Sequence, residues 1–319
     1  MAIVNLQFVV TQGKPPLDIC CFSTYGNCSF LRVCTVLPWI KAVMGGNDKF
    51  NCEDQWEGLE RKANLENNKD NFQCGIQFAR PPDTGEYEPY VGQYPWIAQI
   101  LAINSTDQIG KICVGTLISD QFVLMGASCL IQINGEVAKQ VAIYLGRFNM
   151  SAHTSTDQPM LSFSTQLHIH PLWSNDDVKG RISQRKFDFA LARLRLRIAP
   201  DSSRIRPICL PSHCDENVDI DSQVVDNCES TEYTDWTNSS LIPSSNLSVI
   251  SLAQCSRIYR VQLRPTKVCS QRSMSICNPT LFPLMCKNNS HPNIFLLGAN
   301  GWAGSRSFGC AGGPPIFGR

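Results

Sequence analysis

Three kinds of residue in this chain could do chemistry: a histidine pair, a hydroxyl enclosed by cysteines, and the cysteines themselves. His168 and His170 stand two apart in His168-Ile169-His170-Pro171. On a strand, side chains at i and i+2 share a face, so two imidazoles there could hold a metal ion if further ligands joined them. None stands close to them in the sequence, and solvent and turn roles suffice for the pair. Neither a metal site nor a cofactor is assigned. Thr280 lies in the interval Cys277-Asn278-Pro279-Thr280-Leu281-Phe282-Pro283-Leu284-Met285-Cys286, which contains no Gly, Asp or Ser. A threonine hydroxyl becomes a nucleophile only with an adjacent base. Pro279 also removes one backbone N–H and fixes φ.

The chain has 16 cysteines, an even number and a high one for 319 residues. They lack the paired spacing with neighbouring histidines that metal sites use, so they read as disulfides and place the chain in an oxidising compartment. Asn-x-Ser/Thr triplets stand at Asn27, Asn104, Asn149, Asn238, Asn246 and Asn288. Together with the cysteines they point to a secreted glycoprotein.

The elements that must position these groups are strands. Val114–Ile118 and Phe122–Met125 are apolar runs separated by Ser119-Asp120-Gln121, which is the pattern of a β-hairpin. Cys113 and Cys129 sit at its two ends and could staple it. Further apolar segments follow at 141–145, 161–169 and 187–196. Hydrophobic content of 43% is enough for a sizeable core, and 319 residues allow one large domain and a small one. A net charge of +1 proposes no nucleic-acid face and no acidic tail. No apolar run of about 18 residues exists, so no membrane-crossing helix is expected. The start, MAIVNLQFVVTQGKPP, has an apolar stretch without a basic leader region or a small-residue cleavage site, so a missing, mis-assigned or degenerate leader is expected. Residues 1–73 are polar and poor in periodicity, and the charged run at 53–70 reads as a solvated linker.

Several ordered motifs resemble the trypsin-like (chymotrypsin-fold) serine proteases. Gln93-Tyr94-Pro95-Trp96 resembles the opening of that catalytic domain. Cys113–Cys129, ending Gly126-Ala127-Ser128-Cys129, resembles the strand that leads to Ala-Ala-His-Cys, whose His is the general base. Phe187-Asp188-Phe189-Ala190-Leu191 resembles the segment carrying the buried Asp that orients that base. Ile205-Arg206-Pro207-Ile208-Cys209-Leu210-Pro211 resembles the link between two barrels. Phe295–Gly304 resembles the strand that pairs with substrate backbone; Trp302 is retained, either beside a groove or as a buried core residue. Ala311–Arg319 resembles the late Pro-x-Val-Tyr-x-Arg strand; the helix that closes the second barrel after it is absent, which implies a less well sealed barrel. Cys74-Gly75 is typical of arthropod clip-type members, and Leu17-Asp18-Ile19-Cys20-Cys21 resembles the end of a clip module, of which it would be a remnant.

The resemblance implies an all-β fold of two six-stranded antiparallel β-barrels over residues 74–319, behind a disulfide-bearing extension over residues 1–73. It implies disulfides Cys113–Cys129, Cys228–Cys286, Cys255–Cys269, Cys277–Cys310 and Cys74–Cys209. Cys20, Cys21, Cys28, Cys34, Cys52 and Cys214 are left without an assigned pairing.

The same motifs depart from the family where its chemistry lies. Ser128 replaces the base, and Asp188, having lost its client, reads as a turn-adjacent carboxylate that bonds to backbone amides with Ser128 as its neighbour. The family's nucleophile loop has glycines that aim two N–H groups at an oxyanion, an Asp that takes the new amino terminus, and the attacking Ser. Here the loop is one residue shorter, and Thr280 or Leu281 takes the Ser position. Ser275 stands where a trypsin-type pocket carries Asp. Arg80 precedes Pro81, and no Ile-x-Gly follows it, so the activation site is missing. The resemblance therefore implies a secreted non-catalytic serine protease homologue. Such a protein binds cascade proteases or their substrates as cofactor or decoy, in innate immunity and melanisation, with no nucleic-acid or membrane partner. The alternatives are a serine-type endopeptidase with residual activity through Thr280, and a degraded fragment without function.

Overall fold

A computed structural model describes residues 26–45, 74–80, 90, 92–131, 135–146, 160–173, 187–199, 202, 204–211, 228–233, 241–259, 267–272, 280–288 and 291–303. In chain order the strands are β1 (Gly26–Arg32), β2 (Ile97–Ile103), β3 (Ile109–Leu117), β4 (Phe122–Met125), β5 (Gln140–Leu145), β6 (Met160–Ser164) and β7 (Leu167–Ile169). They continue as β8 (Ala190–Arg193), β9 (Cys228–Tyr233), β10 (Leu241–Ile250), β11 (Lys267–Arg272), β12 (Thr280–Asn288) and β13 (His291–Ala303). Helices are short: α1 (Leu37–Met44) after a 3₁₀ turn at Val33–Val36, α2 (Ala127–Leu130) and α3 (Leu252–Tyr259).

Two antiparallel sheets result. The first has the order β6-β5-β2-β3-β4-β8-β7, and the second is a closed barrel, β1-β11-β10-β9-β12-β13. The first therefore has seven strands where the family pattern implies six. The two residues Thr165 and Gln166 bend one long strand into β6 and β7, and each half pairs with a different neighbour, β5 or β8.

The hairpin expected from sequence is β3–β4, paired through Thr116↔Leu124 and Leu117↔Val123. Its turn is held by Ser119 Oγ, which accepts the N–H groups of Gln121 and Phe122 at 3.1 and 3.0 Å. All four residues of β4 are buried, as an unbroken apolar run at the centre of a sheet must be. Trp96, Ile97, Ile100, Leu117, Leu124 and Ile143 are among the largest core side chains that are almost wholly shielded from solvent.

The two sheets are joined by the link at 204–211 and by Gly75. Gly75 N–H donates to Pro207 O at 2.8 Å, Ile294 N–H to Gly75 O at 2.8 Å, and Leu296 N–H to Cys209 O at 2.8 Å. Gly75 has φ +68°, and a Cβ there would lie 2.2 Å from the Ile294 carbonyl oxygen, so this crossing requires glycine. Trp96 Nε1 donates to Met285 Sδ at 2.9 Å and Tyr94 OH to Glu229 Oε2 at 2.9 Å, which ties the first sheet to the second. Burial beside the Glu229 carboxylate pushes the Tyr94 phenol far above its ordinary range.

Disulfides join Cys74–Cys209, Cys113–Cys129, Cys228–Cys286 and Cys255–Cys269. Cys34 is also in a disulfide. Cys20, Cys21, Cys52, Cys214, Cys277, Cys310, the stretch at 17–21, the charged run at 53–70 and the final strand motif at 311–319 lie outside the described residues.

The main departure from the sequence expectation concerns the second barrel, which is sealed rather than open. Residues 26–44, assigned by sequence to a leading extension, supply its last strand and a helix. β1 lies between β11 and β13, antiparallel to both. An antiparallel sheet edge needs main-chain partners, and β1 satisfies two edges at once. Pro38 stands in the first turn of α1, where its missing N–H costs nothing, and Lys41 in the last turn faces the negative end of the helix dipole. Leu37 is buried, and Trp39, Ile40 and Val43 are buried in the same core as Trp96 and Leu296. No helix among the described residues is long and apolar enough to cross a membrane.

Candidate active site

Ser128 and Asp188 are far apart in sequence and adjacent in space because β4 and β8 are antiparallel neighbours. Met125, the end of β4, pairs with Ala190, the start of β8. The chain leaving β4 therefore meets the chain entering β8. Gly126, with φ −74° and ψ 134°, turns the chain from strand into α2, and Cys129 N–H donates to Gly126 O at 3.0 Å. The Cys113–Cys129 disulfide fastens this short helix to β3.

The resulting contact is bidentate. Asp188 Oδ1 accepts the Ser128 backbone N–H at 2.6 Å, and Asp188 Oδ2 accepts Ser128 Oγ–H at 2.8 Å. Asp188 is only 3% exposed, with Phe189 wholly buried beside it. A buried carboxylate must be hydrogen-bonded, and Ser128 supplies two donors. Lys111 Nζ donates to Ser128 O at 2.8 Å, which places a cation on the far side of the same residue. The hydroxyl of Ser128 is thus committed as a donor to a carboxylate. It has no titratable nitrogen that could take a proton and return it near neutral pH, which is what an imidazole does in general acid–base catalysis.

Thr280 does not lie in a tight loop. It opens β12, and its backbone pairs with Trp302, while Leu281 pairs with Gly301 and with Glu232. From Thr280 to Cys286 the interval is strand. Two peptide N–H groups aimed at one oxyanion require a turn, and a ladder strand directs successive N–H groups to opposite sides. The same pairing bears on the groove considered beside Trp302. β13 is flanked at Trp302 by Thr280 on one side and by Ser29 of β1 on the other, so neither edge is open to a peptide backbone.

His170 is not a solvent-facing turn residue, as its sequence context suggests, but is 1% exposed. Its ring stacks on Phe187 at 4.7 Å with an interplanar angle of 6°, and Trp39 of α1 meets it edge-on at 4.9 Å. Its Nδ1 accepts the Leu172 N–H at 3.2 Å, and its Nε2 has no partner among the described residues. Loss of solvation holds its pKa at about 4, so it is neutral at neutral pH. Sequence reading missed this position because Trp39, one wall of the cage, is more than a hundred residues away. Among the described residues no cluster of His, Cys, Asp and Glu could hold a metal ion.

Asn104 sits in a turn, where its Oδ1 accepts the N–H groups of Thr106 and Gln108 at 3.0 and 2.8 Å. Asn27, Asn246 and Asn288 lie on β1, β10 and β12, while Asn149, Asn238 and Ser275 are outside the described residues. Arg80 lies over the Tyr90 ring at 4.8 Å, and the residues that follow it are not described.

The comparisons with known proteins bear on the same region. The family model described as Trypsin matches residues 83–315. The honeybee (Apis mellifera) Venom serine protease 34 is 28% identical over 144 residues, covering 45% of this chain and 33% of that protein. The Drosophila melanogaster Inactive serine protease scarface is 30% identical over 142 residues, covering 43% of this chain and 19% of that protein. The Bombyx mori Phenoloxidase-activating enzyme is 29% identical over 134 residues, covering 38% of this chain and 29% of that protein. The chain thus spans a third or less of the length of these relatives. The solved structure of the Drosophila Grass clip serine protease of the Toll pathway aligns with a TM-score of 0.49 and 19% identity, over 74% of this chain and 71% of that one.

Proposed function

From the premise that the chain belongs to the trypsin family, we propose that it is a non-catalytic member, a serine protease homologue that acts by binding other proteins. The observation that carries this reading is the bidentate Ser128–Asp188 contact: a serine fills the place of the base and takes the carboxylate that would orient an imidazole. The strand at Thr280 supports it from the nucleophile side. A relative named as an inactive serine protease supports the same reading. The scaffold itself is kept, with the disulfides Cys74–Cys209, Cys113–Cys129, Cys228–Cys286 and Cys255–Cys269 and a buried core spanning both sheets.

The partners in this reading are proteases of an extracellular cascade or their substrates, which the protein serves as cofactor or decoy. A cascade of the innate-immune or melanisation type is favoured by the relative named as a phenoloxidase-activating enzyme. The cysteines and the triplets at Asn27, Asn104, Asn149, Asn238, Asn246 and Asn288 support a secreted, glycosylated protein.

A fluorophosphonate probe tests the absence of catalysis, because it labels only an activated hydroxyl. The purified protein is expected to remain unlabelled. Covalent labelling that disappears in Thr280→Ala would overturn the reading in favour of a residual endopeptidase. Binding is tested by passing an active clip-type protease over the immobilised protein; failure to retain either the protease or its substrate would remove the proposed role.

A further inference from the structure

The first sheet leaves a gap where its long strand bends. β6 pairs with β5 and β7 with β8, and the bend at Thr165-Gln166 lies between the two halves. β8 makes its last pair with β7 at Ala192 and its last pair with β4 at Arg193. The chain then runs on past β6, and no register pair links the two among the described residues. Arg195 N–H donates instead to the side chain of Ser162, at Oγ and 3.3 Å, while the N–H groups of Leu194 and Ile198 turn to Gln121 O and Asp120 O at 2.7 Å each. Between β6 and this stretch lies a cavity of about 520 Å³, within the range of ligand sites. It opens at the Phe122↔Arg193 end of the β4–β8 pair, whereas Ser128 and Asp188 lie beyond its Met125↔Ala190 end, about 10 Å further along the strands.

The chemistry of this groove is one-sided. Arg193 and Arg195 line it together with Phe163 and the side chains of Gln121, Gln140 and Gln166, and no lining residue is acidic. The carboxylates of the same sheet and its turns are engaged elsewhere: Asp120 with Arg197 at 2.7 Å, Asp107 with Lys139 at 3.0 Å, Asp188 with Ser128 and Glu136 with Ser105. Among the described residues neither Arg193 nor Arg195 is in an ion pair. Arg193 is nevertheless held in place, its guanidinium over the Phe122 ring at 5.9 Å and its Nη1 at 3.5 Å from Gln166 Oε1, so little ordering is left for a ligand to impose. Two large apolar side chains accompany the arginines, Phe163 at 44% exposure and Leu196 at 68%. A sulfated sugar would meet the charges and leave the apolar groups in water; an acidic peptide segment with an apolar residue meets both.

We propose that this groove is a docking site for an acidic segment of a partner protein, with carboxylates on Arg193 and Arg195 and an apolar residue on Phe163. It offers a surface for a binding role and owes nothing to Ser128 or Thr280. Labelling by a fluorophosphonate would therefore end the non-catalytic reading without touching this one.

The probe is a fluorescein-labelled octapeptide in which Glu alternates with Leu, titrated with the purified full chain and read by fluorescence anisotropy. Saturable binding below millimolar concentration is expected, weakening roughly tenfold between about 0.05 and about 0.5 M salt as the charges are screened. Replacing both arginines, Arg193→Gln with Arg195→Gln, is expected to weaken it about tenfold, the scale of two partly exposed charge pairs. Phe163→Ala is expected to weaken it about fivefold through lost apolar contact. Arg197→Gln, whose charge Asp120 already meets, is expected to change it less than about twofold. Charge reversal checks the same point without relying on a loss: Arg195→Glu is expected to prefer an octapeptide alternating Lys with Leu. Absence of binding up to millimolar concentration overturns the proposal, as does equal binding of the octapeptide alternating Gln with Leu, an equal loss in Arg197→Gln, or an unchanged preference in Arg195→Glu. Tighter binding of a heparin oligosaccharide, lost in the double arginine variant, would make a glycan the occupant and overturn the choice of a peptide.

Discussion

Removing the hydroxyl of Ser128 tests whether Asp188 serves the fold rather than chemistry. Asp188 is buried and accepts two donors from one residue, an amide at 2.6 Å and a hydroxyl at 2.8 Å. A hydrogen bond to a charged group contributes about 1.5–3 kcal/mol, and a buried group left unsatisfied costs a similar amount. Ser128→Ala keeps the amide bond and loses the other. Ser128 is half-buried, so water can reach the vacated lone pair, and the loss is expected at the low end, about 1.5 kcal/mol. Asp188→Ala removes both bonds and leaves two donors unmet, for a loss of about 3 kcal/mol. Because the variants delete the same contact, the double variant is expected to fall short of additivity by ~1 kcal/mol or more. Urea unfolding followed by tryptophan fluorescence measures all three, provided the slope with denaturant is unchanged. A loss below ~0.5 kcal/mol for Ser128→Ala, on the scale of a surface substitution, would refute the argument. So would full additivity.

Two further outcomes follow from the core. Native His170 stays neutral down to about pH 4, whereas an unfolded histidine takes its proton near 6.5. Its contribution is therefore complete above that ordinary value and declines as pH falls from about 6.5 to about 4, by up to ~3 kcal/mol. The difference in urea midpoint between wild type and His170→Phe should shift against wild type across that window; a constant difference would contradict it. Gly75→Ala places a Cβ 2.2 Å from the Ile294 oxygen at a backbone φ of +68°. It is expected to cost about 2–4 kcal/mol, visible as a lowered melting temperature, and an unchanged melting temperature would show that the crossing relaxes freely.

The strands were legible where apolar runs are bounded by turn residues. β3–β4 is the plainest case, because Ser119-Asp120-Gln121 interrupts two runs whose burial needs no other information. The substitution at Ser128 was equally plain, since a change of residue type is visible without coordinates. That Asp188 takes the Ser128 hydroxyl as well as a backbone amide was not, because the partner lies 60 residues away and the contact depends on β4 and β8 being neighbours. His170 was misjudged for the same reason. A histidine beside a proline suggests a surface turn, and only the arrival of Trp39 and the fold-back of Phe187 enclose it.

The clearest division concerns the second barrel. Residue types alone carry the reading that Ser128, the interval at 277–286 and Arg80-Pro81 depart from the family's base, nucleophile loop and activation site, because those functions require particular atoms at particular positions. They do not establish how a barrel is closed. Strand pairing joins any backbone with unused N–H and C=O groups to any compatible edge, with little demand on side-chain identity. Residues 26–32 satisfy β11 and β13 by main-chain geometry, and α1 follows by covering apolar surface. Pairing between segments so distant in sequence leaves no local signature, and so only the tertiary structure decides it.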